Sequence, residues 1–149
     1  MSAKINPNFK FFLFIILSIL IPRYETISEI NLKVQGEGIL DVLNPGFSYE
    51  PNEFLINGIL YPSCKKSCQF DGGLNNVTIK FENQIDSCEN MFYEITSIIE
   101  IDLSKFDASK VMNMSQMFSS CTNMKKIILG NINTTLVKNM CRMFFGCEI

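Results

Sequence analysis

The chain has no histidine and no tryptophan in its 149 residues. Losing histidine removes the commonest general base, the Ser-His and Cys-His nucleophile pairs, and every zinc site that uses imidazole. Arginine is nearly absent, with only Arg23 and Arg142. No cationic run exceeds Lys65-Lys66 or Lys125-Lys126. Neither the basic stripe of a nucleic-acid binder nor a polybasic membrane anchor is therefore present. The formal net charge is −2, and removing Lys4, Lys10 and Arg23 together with Glu25 takes it to −4. An enzyme built from these residues would rest on carboxylates, lysine or tyrosine alone. The composition points away from catalysis, from a cofactor or metal, and from a nucleic-acid partner.

Long apolar runs are also scarce. The single one is Phe11–Ile21, preceded by Lys4 and Lys10 and ended by Pro22. A membrane-spanning helix needs about 20 apolar residues, so this run reads as the core of a secretory signal peptide over residues 1–28. Thr26 and Ser28 put small residues at the −3 and −1 positions of a cleavage site. An uncleaved signal-anchor is the alternative. Either way the rest of the chain is expected outside the cell or in a lumen, as a secreted or surface protein.

What the chain does have is a period. Met-Phe recurs at Met91-Phe92, Met117-Phe118 and Met143-Phe144, an interval of 26 residues. Cys121 and Cys147 repeat it, as do Asn113 and Asn139, Met114 and Met140, and Val111 and Val137. A fixed period in this range marks stacked units, each burying a face that it could not bury alone. Ile101 and Leu103 match Ile127 and Leu129 one period on, and short strands are expected at 99–103 and 126–129. Val111, Met114, Met117 and Phe118 fall at i, i+3, i+6 and i+7, as do Val137, Met140, Met143 and Phe144, which predicts a short helix per unit. Cys121 and Cys147 close the units. The expected fold class is an α/β repeat, a solenoid of about 2.5 units over residues 83–149. The expected core is those positions with Met91 and Phe92.

Residues 29–82 read as a β-rich cap. Ile30, Leu32 and Val34 alternate with Asn31 and Lys33, and Val77, Ile79 and Phe81 with Thr78 and Lys80, at strand spacing. Turns are expected at Gly36-Glu37-Gly38, Asn44-Pro45-Gly46 and Asp71-Gly72-Gly73, and a hairpin turn at Asn57-Gly58.

The run from Ile101 to Cys121, Ile-Asp-Leu-Ser-Lys-Phe-Asp-Ala-Ser-Lys-Val-Met-Asn-Met-Ser-Gln-Met-Phe-Ser-Ser-Cys, resembles the 26-residue surface-protein repeat of BspA-type leucine-rich-repeat proteins. The resemblance covers residues 98–147 and fades over 83–97. It implies a leucine-rich-repeat-like solenoid on a secreted or cell-surface protein, with adhesion and host or matrix binding as the associated roles. The chain departs from the pattern in having few units and in stopping at Cys147-Glu148-Ile149, inside a unit. An open last unit would leave Ile127, Leu129, Val137, Met140 and Phe144 uncovered.

The candidate ligand face is the strand face, carrying Glu100, Asp102, Ser104, Lys126 and Ile128. Glu100 and Asp102 alternate with Ile101 and point the same way. They read as a solvated face rather than an acid/base pair, which would need one carboxyl desolvated. The expected partner is a protein or glycan on a cell or matrix surface. Two alternatives stand beside the binding module. One is a coat subunit that self-associates through its uncapped C-terminal unit, and the other a truncated paralogue with no independent role. Six cysteines allow 15 pairings. Cys64 and Cys68 are the favoured disulfide pair, and Cys121 and Cys147 stack in a ladder or bridge. Of three N-glycosylation sequons, Asn76 and Asn133 are the better acceptors. Asn113 recurs at the repeat period and is expected to serve the backbone instead.

Overall fold

The computed structural model describes residues 27–148. The expected signal segment thus lies outside the described residues apart from Ile27 and Ser28, as does Ile149. Ser28 opens the first strand, and its hydroxyl accepts the Asp107 N–H at 2.9 Å.

Six strands form one mixed sheet: β1 (Ser28–Asp41), β2 (Glu53–Ile56), β3 (Ile59–Leu60), β4 (Ser67–Phe81), β5 (Ile98–Lys105) and β6 (Lys126–Ile128). Their order is β3-β2-β4-β1-β5-β6, and only β5 and β6 run parallel. The alternation read in the sequence explains the sheet. Ile30, Leu32 and Val34 of β1 and Val77, Ile79 and Phe81 of β4 turn one way into the core. Asn31, Lys33, Thr78 and Lys80 turn the other way. Because β1 pairs with both β4 and β5, the N-terminal region and the repeats share one sheet.

Two expected turns are not turns. Gly36-Glu37-Gly38 and Asp71-Gly72-Gly73 lie inside β1 and β4, where Glu37 faces Asp71 and the register shifts between Gln35 and Glu37. The glycines serve a bulge, with Gly36 at φ 142° and Gly72 at φ 102°. Asn57-Gly58 does form the hairpin turn, both residues at positive φ, between Ile56 and its partner Ile59.

The α/β solenoid with one helix per unit is overturned: the described residues contain no helix, and the fold is a mixed β-sheet with irregular turn segments packed against it. The backbone shows why. In the segment after β5, Gln116 and Ser120 sit at φ 53° and 61°, a left-handed conformation that a right-handed helix cannot contain. Their counterparts at the repeat period, Asn90 and Glu94, then Arg142 and Gly146, do the same. Every second N–H closes a local turn, as Met117 N–H does on Met114 O, Ser119 N–H on Gln116 O and Cys121 N–H on Phe118 O. The alternate N–H groups leave the segment altogether. Met114, Gln116, Phe118 and Ser120 donate to Asn139, Cys141, Met143 and Phe145 in the next unit, at 2.7–2.9 Å. One unit earlier, Cys88, Asn90, Phe92 and Glu94 donate to Asn113, Ser115, Met117 and Ser119. Backbone donors that a helix would satisfy at i−4 are satisfied by the neighbouring unit.

These turns still bury the stripe. Met91, Phe92, Ile101, Leu103, Val111, Met114, Met117, Phe118 and Cys121 lie in one core with the sheet. Phe92, Phe118 and Phe144 stack in a column, with centroids 5.6 and 5.4 Å apart and rings within 9° of parallel. The first unit is closed on its far side: Val42 and Leu43 are buried, and Asn44 gives its backbone N–H to Met91 O at 2.9 Å and its side-chain amide to Tyr93 O. The third unit has no such cover among the described residues. Val137 and Cys147 are half-buried, Met140 is 46% exposed and Phe144 is 42% exposed, while Met143 is buried.

Candidate functional site

The outward face of the sheet carries side chains that cannot reach the core, and β1, β4, β5 and β6 bring them together. The parallel register sets Glu100 beside Lys126 and Asp102 beside Ile128. The antiparallel register sets Lys33 opposite Glu100 and Asn31 opposite Asp102. On β4, Asn76 pairs with Lys33. Asn31, Lys33, Asn76, Glu100, Asp102 and Ile128 line an open groove of about 310 Å³, with Leu32, Val77 and Ile101 also lining it. No aromatic ring is among them.

Cross-strand pairs fix this face. Lys33 Nζ lies 3.2 Å from Glu100 Oε2, and Lys105 Nζ lies 2.8 Å from Glu29 Oε1. Asn31 donates to Glu29 at 2.9 Å and accepts the Thr78 hydroxyl at 2.6 Å, and Lys80 pairs with Glu53 at 2.7 Å. The Lys105 hydrogen bond, then the Asn31 amide, hold the Glu29 carboxyl below the usual carboxylate range. Asp102 is lowered too, first by hydrogen bonding from the Ser104 side chain and then by the Ser104 backbone N–H at 2.8 Å. Both carboxyls are therefore anionic at neutral pH. Exposed pairs of this kind add little to stability because water screens them, but they hold charge at fixed places on a flat surface.

Of the five residues expected on the ligand face, Glu100, Asp102 and Ile128 line the groove and Lys126 sits beside Glu100 on the edge strand. Ser104 does not join them: it lies past the groove, under Gly130 of the next unit. The sequence reading missed Asn31, Lys33 and Asn76. Their outward direction was legible from the alternation, but that β1 lies between β4 and β5 was not, since pairing partners far apart in sequence carry no periodic mark.

The sequons differ in setting. Asn113 is half-buried, its Oδ1 taking the Ser115 N–H at 2.9 Å and its Nδ2 reaching Glu89 at 3.1 Å. Asn76 is exposed on β4. Asn133 is exposed in a turn, where its Oδ1 accepts the Thr135 N–H and hydroxyl at 3.0 and 2.7 Å.

Cys64 and Cys68 are joined as a disulfide. Cys121 and Cys147 are free thiols, each donating to a carbonyl one unit back, Phe92 O and Phe118 O, at 2.9 Å. Burial pushes the Cys88 and Cys121 thiols up to about 12. Cys141 alone of the free cysteines is exposed. Brief iodoacetamide treatment of the native chain at neutral pH is expected to alkylate Cys141 and spare Cys88 and Cys121, because the thiolate is the nucleophile. Peptide mapping after denaturing quench reads the result. Alkylation of Cys121 as fast as Cys141 would show that the second and third units part readily.

No curated protein and no solved structure matches the chain significantly. The repeats do match: residues 75–149, half of the chain, fit the family described as "Mycoplasma protein of unknown function, DUF285", and the chain belongs to that family.

Proposed function

We propose that the protein is a non-catalytic binding module, secreted or displayed at the cell surface, whose ligand lies across the outer sheet face between β1, β5 and β6. The observation that carries this reading is the groove itself. Four strands set amides and charges of both signs around it, and the Lys33–Glu100 ion pair crosses it from β1 to β5. The resemblance of residues 98–147 to the BspA-type surface repeat supports the surface location and the adhesive role. So does the signal-like segment at the N-terminus. The missing histidine and the half-buried, solvent-open setting of Glu100 and Asp102 support a surface that binds rather than reacts. The lack of an aromatic stacking platform in the groove favours a protein ligand over a glycan.

Charge reversal tests it. The pair Asp102→Lys with Lys126→Glu is expected to weaken attachment of the purified protein to cells or matrix by about tenfold, which corresponds to roughly 1.4 kcal/mol. Far-ultraviolet circular dichroism should stay unchanged and the urea midpoint should fall only slightly, through loss of the Ser104 N–H bond to Asp102. Attachment equal to that of the parent chain would remove this face from consideration.

A further inference from the structure

The charges of the turn segments change sign from one unit to the next. Residues 83–97 carry Asp86, Glu89 and Glu94 and no cation. Residues 109–123 carry Lys110 alone, and residues 135–147 carry Lys138 and Arg142 and no acid. The backbone stacks these segments in register. Parallel bridges join Ser87 to Asn113 and Asn113 to Asn139. Met112 N–H donates to Asp86 O and Lys138 N–H to Met112 O, each at 2.8 Å. Asp86, Met112 and Lys138 therefore form one exposed column, which reads acid, apolar, cation along the stack. Lys110 shares its repeat position with Gln84 and Leu136, outside this column. Two strand spacings, about 10 Å, separate the acid from the cation. Lys138 and Arg142 pair with no carboxylate among the described residues. The acids are held in place. Asp86 accepts the Tyr49 hydroxyl at 2.5 Å, and Glu89 accepts from the Asn113 amide at 3.1 Å and the Ser115 hydroxyl at 3.3 Å.

We propose that this lateral face joins a second copy of the chain across a two-fold axis, with the stacks antiparallel. Asp86 of each copy then meets Lys138 of the other, and the two Met112 side chains meet on the axis. A two-fold contact is made by one patch with itself, so the patch must be complementary to its own reverse. A column that runs acid, apolar, cation meets that condition. The same rotation turns Glu89 and Glu94 of one copy toward the third unit of the other, where Arg142 is exposed. A parallel copy would set acids on acids and cations on cations. A partner of uniform charge would be attracted at one end of the column and repelled at the other. The contact uses the sides of the units, so a further unit stacked on the third would leave it open. It lies on the turn side of the core, apart from the sheet groove, and either surface can fail without the other.

Sedimentation velocity over a range of protein concentrations tests it, on the full chain and two single variants. The parent chain should pass from monomer to dimer as concentration rises, and added salt should move that transition upward, because the charge pairs are open to water. Lys138→Glu makes both ends of the column acidic, and Asp86→Lys makes both ends cationic. By symmetry one substitution alters two contacts, so each variant alone should need about tenfold more protein to dimerise. Mixed in equal amounts, the two should form a heterodimer at concentrations where neither pairs with itself. Should Asp86→Lys lose the circular dichroism of the parent, Asp86→Asn takes its place. It can still accept the Tyr49 hydroxyl, and it should weaken the parent dimer by a smaller step. The proposal is overturned by a parent chain that stays monomeric at every concentration, or by a dimer that Lys138→Glu leaves unchanged. Folded variants that fail to pair with each other would overturn it too.

Discussion

Phe118→Ala is expected to lower the stability of the chain by about 3–5 kcal/mol, the usual cost of deleting a buried aromatic ring. Phe118 is fully buried and is the middle ring of the Phe92–Phe118–Phe144 column. Its removal leaves a cavity between turn segments that are tied by backbone hydrogen bonds and cannot collapse freely. It also removes both ring contacts, each worth about 0.5–1.5 kcal/mol and part of the same total. A domain of this size has about 5–15 kcal/mol in hand, so the urea midpoint should fall sharply with the slope unchanged. Phe144→Ala is the internal control. Its ring is partly solvated on the open end, and the loss should be less than half as large. Equal losses at the two positions would mean that the column does not end at Phe144.

That contrast also separates what the sequence discloses from what it hides. A period of 26 residues and an apolar stripe at three- and four-residue spacing mark Met114, Met117, Phe118 and Cys121 as inward-facing, and they are buried. The stripe does not say which backbone produces it. A run of turns closing i to i−3 brings the same residues to one side as a helix does. The conformations that decide the matter belong to Asn90, Glu94, Gln116, Ser120, Arg142 and Gly146, of which only Asn90 and Gly146 are residue types that favour positive φ. The glycines of β1 and β4 mislead for a related reason. Gly-Glu-Gly and Asp-Gly-Gly read as turns in isolation, and only the cross-strand partner turns each into one side of a bulge. The binding face divides the same way. Glu100 and Asp102 could be placed outward from their own alternation, whereas Lys33 and Asn76 join them through the pairings of Lys33 with Glu100 and of Lys33 with Asn76, which span 67 and 43 residues of chain.

The seam between β5 and β6 supplies the second large effect. Gly130 follows β6 with φ 59°, and a Cβ there would lie 2.7 Å from Ser104 Cα and 3.0 Å from Ser104 Oγ. Gly130→Ala therefore meets two penalties. The left-handed conformation costs an L-residue roughly 1–2 kcal/mol, and the overlap with a backbone atom adds roughly 1–3 kcal/mol of overpacking. Gly146→Ala separates them. Gly146 has φ 73°, but the nearest atom to a Cβ there is Ser120 Cα at 3.6 Å, an ordinary contact. It should cost only the conformational part, so the difference between the two variants measures the close approach. Ser104→Gly should not restore Gly130→Ala, because the obstructing atom is a Cα that glycine keeps. The strain has a functional readout as well. Moving β6 away from β5 shifts Ile128 from Asp102 and Lys126 from Glu100 on the groove face. Gly130→Ala should then weaken attachment through that face, while Gly146→Ala leaves it intact. Equal attachment by both, with Gly130→Ala the less stable, would place the ligand away from the β5–β6 seam.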